Sequence, residues 1–475
     1  MSPDAVSSSR SSWRAFKPAP AILITGVVSV LLLALTFRPV VEGDGVGYFS
    51  YLHALLVSHS LDFNNEYSAA INSRIPLFLP LVTTRTATGQ LGDFFGIGSA
   101  LLSMPAYLAA LAWRPSGEPQ FGPPFVHAFA MSSLLYLLLG LAFSYRLAVS
   151  VVGDRRASAV GAVAALFTTP LVYYGLSDPS YSHAFSVFCS SAFVYAWWTG
   201  PPRSARGWLG LGLLGGVMAM TRFQDGLLMA IVPVDAKRLR WPALLMIPGA
   251  LLGFAPQFAV DHVQFGSWLP ARPPGQALDA LHGHYLQALF SSNDGLLIWT
   301  PAAIFAGAGL YFVRNQRIVL ACLIAFLLQL AIIGAAPDSA GRAFGARRFL
   351  DLIPFAVVGL AAFWVRFRLL SASAVAALTV WNLTLEANFE YIMKSGSTVG
   401  YRELLLGQLS AVSFLPRLFA KGAVVRDLLL WPQAHTRFDP VGGMALLAAE
   451  IVCVIAALAV CGWRDKPRAV IGLRT

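Results

Sequence analysis

Apolar residues along the chain gather in repeated blocks, most of about 17 to 25 residues, separated by polar turns. At 1.5 Å of rise per residue, a helix of that length crosses a hydrocarbon layer about 30 Å thick. The blocks lie at about 21–38, 125–148, 157–175, 183–199, 208–221, 226–236, 241–262, 297–313, 318–336, 350–365, 369–386 and 441–462, which predicts an all-α polytopic membrane protein with about twelve transmembrane helices. The neighbouring blocks 208–221 and 226–236 are short enough to form a re-entrant hairpin, which leaves the orientation of the other spans unchanged. A thirteenth block, 96–113, reverses every later span if it crosses, so the topology turns on it.

Charge breaks that tie. With 96–113 held outside as a juxtamembrane helix or hairpin, the inside segments collect Arg146/Arg155/Arg156, Arg203/Arg206, Lys237/Arg238/Arg240, Arg314/Arg317, Arg366/Arg368 and Arg464/Lys466/Arg468. Every short loop on one side is then basic, as the positive-inside rule expects. The expected organisation is a cytoplasmic tail over 1–20 and one integral domain over 21–475, with both termini cytoplasmic and outer loops at about 39–124, 263–296 and 387–440. The first block follows Arg10, Arg14 and Lys17 and runs into Arg38-Pro39 without a small-residue cleavage pattern, so it reads as a retained signal anchor.

Composition sharpens this picture. Of 475 residues, 57% are hydrophobic and 12% charged, with a mean hydropathy of +0.65, against about 25% charged in a soluble protein. The net charge of +11 is scattered through short loops, so topology accounts for it and a nucleic-acid partner is not expected. The four cysteines all fall inside apolar blocks with no CxxC pair, which argues against a disulfide framework or a thiolate metal site. No Walker-type sequence is present to drive ATP-dependent transport, and Asp93-Phe94-Phe95-Gly96-Ile97-Gly98 lacks the strand–turn–helix context of a nucleotide loop. All eight histidines fall at or beyond the outer face, as do 18 of the 23 carboxylates; the exceptions are Asp4, Asp154, Asp235, Asp465 and Glu450. Long outer loops have room for polar residues, so the stronger candidates are those in short turns flush with the membrane.

Three segments and one arginine stand out. In Glu42-Gly43-Asp44-Gly45-Val46-Gly47-Tyr48, two carboxylates among three glycines follow the first block; a general base there takes a proton from an acceptor hydroxyl, while the structural alternative is an acidic turn with Tyr48 as an interface anchor. The short turn Tyr173–His183 keeps Asp178 and His183 near the membrane plane, as substrate contacts or as caps of the following helix. Gly341–Phe349 puts Arg342, Arg347 and Arg348 in one outer loop, against the charge rule; planar guanidinium forks suit phosphate oxygens, and attraction to lipid headgroups is the alternative. Arg222, on the same face, either assists them or pairs with Asp225.

Together these residues resemble the GT-C glycosyltransferase superfamily, in particular the bacterial branch of protein mannosyltransferase-like and aminoarabinose-transferase-like enzymes. The likeness covers most of the chain and is carried by the acid after the first span, by the segment 92–102 that includes Asp93, by Pro179–Ala184, by LFSSNDGLLIWTP at 289–301 and by FGARRFLDLIP at 344–354. It implies transfer of a sugar from a polyprenyl phosphate to a lipid, glycan or protein acceptor outside the cytoplasm of a bacterial inner membrane, usually with inversion. Asp44 matches the general base, with Glu42 or Asp178 as the second acid, because Gly45 stands where many relatives carry one. Arg342, Arg347 and Arg348 would hold the donor phosphate, with Arg222, His183, Tyr48 and Asp93 as further substrate contacts. Metal dependence varies in the superfamily; a divalent cation is open, and no convincing ligand set is visible. A flippase of lipid-linked glycans and a glycan ligase or polymerase are the rival readings. A carrier should expose polar residues through the membrane depth, whereas here they gather on one face.

Overall fold

The computed structural model describes residues 20–113, 117–200, 204–238, 241–272, 276–337, 343–393, 398–428 and 439–462. Arg342, His435, Arg203, Arg240 and the charged residues of both termini lie outside the described residues. Among the described residues the regular structure is helical, with isolated bridges at Gly43–Leu77 and Arg85–Leu91. Among the described residues, six helices are long and apolar enough to cross a membrane: Pro123–Val152, Trp241–Phe265, Gln316–Ala335, Arg347–Arg366, Arg368–Tyr391 and Pro440–Gly462. Shorter apolar helices cover Ile24–Thr36, Gly98–Trp113 and Ala302–Tyr311. The protein is therefore a multi-pass membrane protein.

The helices fall close to the apolar blocks, and where they depart proline is the reason. The block 157–175 is helical only over Arg155–Phe167, because Pro170 follows and the chain then enters a wide turn at Tyr173–Ser177. The block 226–236 is an irregular 3-10 segment, Phe223–Arg238, with Pro233 inside and Asp235 out of helical conformation. The block 297–313 is interrupted at Thr300-Pro301 between Leu296–Trp299 and Ala302–Tyr311. A proline ring removes one backbone donor and clashes with the preceding turn, so each of these helices stops or changes pitch there.

Pro123–Val152 is the central column. At 30 residues it is about 45 Å long, more than a bilayer core requires. One end carries the aromatic core of the first loop: Tyr107 stacks on Phe125 at 5.0 Å, Phe49 meets Phe129 at 5.7 Å, and Tyr136 donates to the Leu102 carbonyl at 3.2 Å. Farther along, His183–Thr199 and Ile353–Arg366 pack on it to form the larger core, with Phe193, Trp197, Phe355 and Val357 buried between them. The first helix closes the bundle against the last, where Leu33 and Leu446 are buried together.

Ala205–Thr221 and Met246–Phe265 meet through a double small-residue stripe. A Cβ on Gly212 would lie 2.1 Å from the Met246 carbonyl, one on Gly216 2.2 Å from that of Ala250, and one on Gly253 2.3 Å from that of Leu213. Without a hydrophobic drive between helices in lipid, such backbone contact is what holds a pair together. Gly253→Leu should therefore destabilise the fold by about 2 kcal/mol or more, read as a lower thermal midpoint in detergent. Gly210→Leu, where nothing lies within 4 Å, should leave the midpoint unchanged.

Candidate active site

The site begins at a backbone kink. Gly43 has φ +61°, a left-handed conformation, and its N–H donates to the Pro76 carbonyl at 2.8 Å. That kink starts the helix Gly45–His53 with Asp44 at its N-cap position, yet the Asp44 side chain makes no capping bond. Its carboxylate instead accepts from Arg347 Nη1 at 2.8 Å, with the two side chains only 19% and 12% exposed. One turn further, Tyr48 packs on Phe95 at 4.8 Å, and its hydroxyl faces Ser182. Burial, then the Asp44 charge, push that phenol up to about 12.

Arg347 opens a 3-10 turn, Arg347–Leu352, that leads into Ile353–Arg366. Its guanidinium lies 5.0 Å over the Tyr181 ring, a cation–π contact with a desolvated face. Tyr181 meets Tyr174 at 5.2 Å, and Tyr174 packs on His183 at 4.4 Å while donating to the Phe344 carbonyl at 2.9 Å. His183 sits in the field of Arg222, Arg347 and Arg348 together. Arg222 leaves the end of Ala205–Thr221 in extended conformation, reaching Gln224 Oε1 from Nη2 at 3.4 Å with Nη1 buried and free of hydrogen bonds. Gln224 ties this bend to the arginine turn by donating to the Arg348 carbonyl at 2.7 Å. Thus Asp44, Tyr48, His183, Arg222, Arg347 and Arg348 gather in one place from four stretches of chain. Arg342 lies outside the described residues.

Two expected contacts are deeper than the sequence suggests. Asp93 is 1% exposed: Oδ1 accepts from the Phe95 N–H at 2.8 Å, its own N–H donates to Gln264 Oε1 at 2.6 Å, and Oδ2 faces Gly47. It underpins the helix that carries Asp44. Asp178 is 3% exposed and bonded to Ser180, while Glu42 is half-exposed and pairs with Arg38 at 3.8 Å. Burial raises the Asp93 carboxyl to about 7, and burial followed by the Glu42 charge raises Asp178 to about 7. Tyr174, Tyr181, Ser180 and Gln224 were not legible as site residues. Tyrosines near a span end ordinarily read as interface anchors, and no local spacing reveals a cation stacked from 166 positions away.

Beside Arg347 an apolar cavity of about 500 Å³ opens. Ala346 and Phe349 line one end, and Tyr311 and Val319, at the far ends of two helices, line the other.

The chain is thus a membrane-embedded helical domain with an aromatic assembly on the loop after its first helix and a polar centre at the helix ends. The solved structure of ArnT from Cupriavidus metallidurans in the apo state is similar to this chain, with a TM-score of 0.50 over 93% of this chain and 75% of that one, at 15% identity. The likeness is one of fold. No protein-family profile matches the sequence, and no curated protein does.

The buried acids make stability depend on pH. A folded-state value of about 7 against an ordinary 3.8 means that folded Asp93 holds a proton the unfolded chain has released between pH 4 and 7. This one group should therefore make stability fall as pH rises through that window, by at most about 1.4 kcal/mol per unit, and its share levels off above it. Asp93→Asn, which keeps an acceptor for the Phe95 N–H, should make the fall shallower when thermal midpoints are compared from pH 4 to 8, with Asp178 supplying the part that remains.

Proposed function

We propose that the protein is a membrane glycosyltransferase that moves a sugar from a polyprenyl phosphate to an acceptor on the extracytoplasmic side of a bacterial inner membrane. The observation that carries this reading is the Asp44–Arg347 pair, with Arg222 and Arg348 grouped about the same centre and an apolar cavity lined by Ala346 and Phe349 next along the chain from Arg347. An acid and several guanidinium groups within one small polar centre match a reaction that removes a proton on one side and releases a phosphate on the other. The GT-C fold adds support.

In this mechanism the lipid chain lies in the cavity past Ala346 and Phe349, and the donor phosphate meets Arg347, Arg348 and Arg222. Phosphate oxygens draw Arg347 away from Asp44 and leave the carboxylate free. Asp44 accepts the acceptor hydroxyl proton as that oxygen attacks the anomeric carbon. The bond from that carbon to the phosphate oxygen breaks, its electron pair stays with the lipid phosphate, and the guanidinium groups stabilise the new charge. A single displacement inverts the anomeric centre. Tyr48, one turn along the helix from Asp44, and His183 contact the sugar.

Mass spectrometry of envelope glycans and glycolipids from a deletion strain tests this. Loss of one sugar, restored by the intact gene and not by Asp44→Asn, is expected; general-base removal lowers transfer by about 10² to 10⁴. Full restoration by Asp44→Asn refutes the base. In the same assay Arg348→Ala should reduce transfer far more than Arg366→Ala, and equal effects would refute the phosphate assignment.

A further inference from the structure

The turn Asp178–Tyr181 presses on both sides of Asp44. Ser180 is fully buried, and its Oγ lies 2.6 Å from Asp178 Oδ1 and 3.3 Å from both the N and the O of Glu42. A serine hydroxyl has one proton and two lone pairs. The short bond to the Asp178 carboxyl takes the proton, which leaves a lone pair to accept the Glu42 N–H. Asp178 thereby fixes the direction of the Ser180 hydroxyl, and Ser180 fixes the backbone two residues before Asp44.

The glycines on either side of Asp44 have a spatial reason in this contact. A Cβ on Gly45 would fall 2.0 Å from Ser180 Oγ, and one on Gly43 would fall 2.5 Å from the Tyr181 hydroxyl. Ser180 therefore seats against Gly45 and Tyr181 against Gly43, with Asp44 projecting between them toward Arg347. Arg347 itself rests on the Tyr181 ring at 5.0 Å. One dipeptide holds both the carboxylate and its cationic partner in place. Among the described residues both side-chain hydrogen bonds of Asp178 go to Ser180, accepted from its N–H at 3.4 Å and from its hydroxyl at 2.6 Å, and the side chain is closed off from solvent.

We propose that Ser180, oriented by Asp178, is the positioning residue for Asp44, and that Asp178 acts through this hydrogen bond and not as a second catalytic acid. The proposal rests on the glycosyltransferase reading above. Asp178 needs only an acceptor oxygen for this task, and an amide supplies one. A proton-transferring Asp178 needs its carboxyl.

The test uses the full chain in membranes of the deletion strain, with initial transfer read by mass spectrometry of the endogenous glycan and binding read with undecaprenyl phosphate in nanodiscs. Ser180→Ala and Asp178→Ala should each lower the transfer rate by about 10- to 100-fold, since displacement of a reacting group by about 1 Å costs that much. Their undecaprenyl phosphate affinity should stay within about 2-fold of the unmodified protein, because a fault confined to the base leaves the phosphate contacts intact. Asp178→Asn should retain transfer within about 3-fold, and the Ser180→Ala/Asp178→Ala double variant should be no slower than either single one. Asp178→Asn as slow as Asp178→Ala, or Ser180→Ala at full rate, overturns the proposal. If Ser180→Ala does not fold, the comparison of Asn with Ala at 178 decides alone. Failure of the underlying reading is separate: it appears as a deletion strain that loses no sugar, and failure of the base assignment as full transfer by Asp44→Asn, whatever the 178 and 180 variants do.

Discussion

The bond between Asp44 and Arg347 joins residues 303 positions apart and organises the site around it. One partner belongs to the loop after the first helix and the other to the turn that leads into Ile353–Arg366. Moving a carboxylate and a guanidinium out of water costs several kcal/mol per ion, and mutual attraction offsets this only with close geometry and further contacts. The further contacts are present: the Tyr181 face under the guanidinium, the kink at Gly43, and the seat of Ser180 against Gly45.

Around that bond the protein keeps many charges away from water. Asp93, Asp178, Asp225 and Asp351 are all buried, and several of their oxygens lack a hydrogen-bond partner among the described residues. Ser186 reaches Asp225 at 2.5 Å one turn below His183, so the acidic layer continues directly beneath the arginine group. An apolar core would be cheaper. Buried, incompletely satisfied carboxyls next to arginines are the kind of arrangement that binding and catalysis require and that stability alone does not.

The fold was largely legible because its cause is local. Blocks such as 183–199, 318–336 and 441–462 are helical almost to the residue, at His183–Thr199, Gln316–Ala335 and Pro440–Gly462. Where continuous spans were expected at 157–175, 226–236 and 297–313, prolines 170, 233 and 301 break or distort the helix. Of the candidate residues, Asp44, Tyr48, His183, Arg222, Arg347 and Arg348 converge. Asp93 instead supports the helix behind Asp44, and Ser180 and Tyr181 carry more of the geometry than their neighbours' side-chain types suggested.

By itself, the sequence determined that the chain lives in a membrane, where its helices lie and which turns hold the acids and arginines. Those follow from composition over tens of residues, since lipid leaves the backbone no partner except its own helix. Only tertiary structure decided which acid meets which arginine, and that Gly43 and Gly45 leave room for Tyr181 and Ser180. Those contacts join segments more than a hundred residues apart, and their strength depends on distances of 2 to 5 Å that no local pattern encodes.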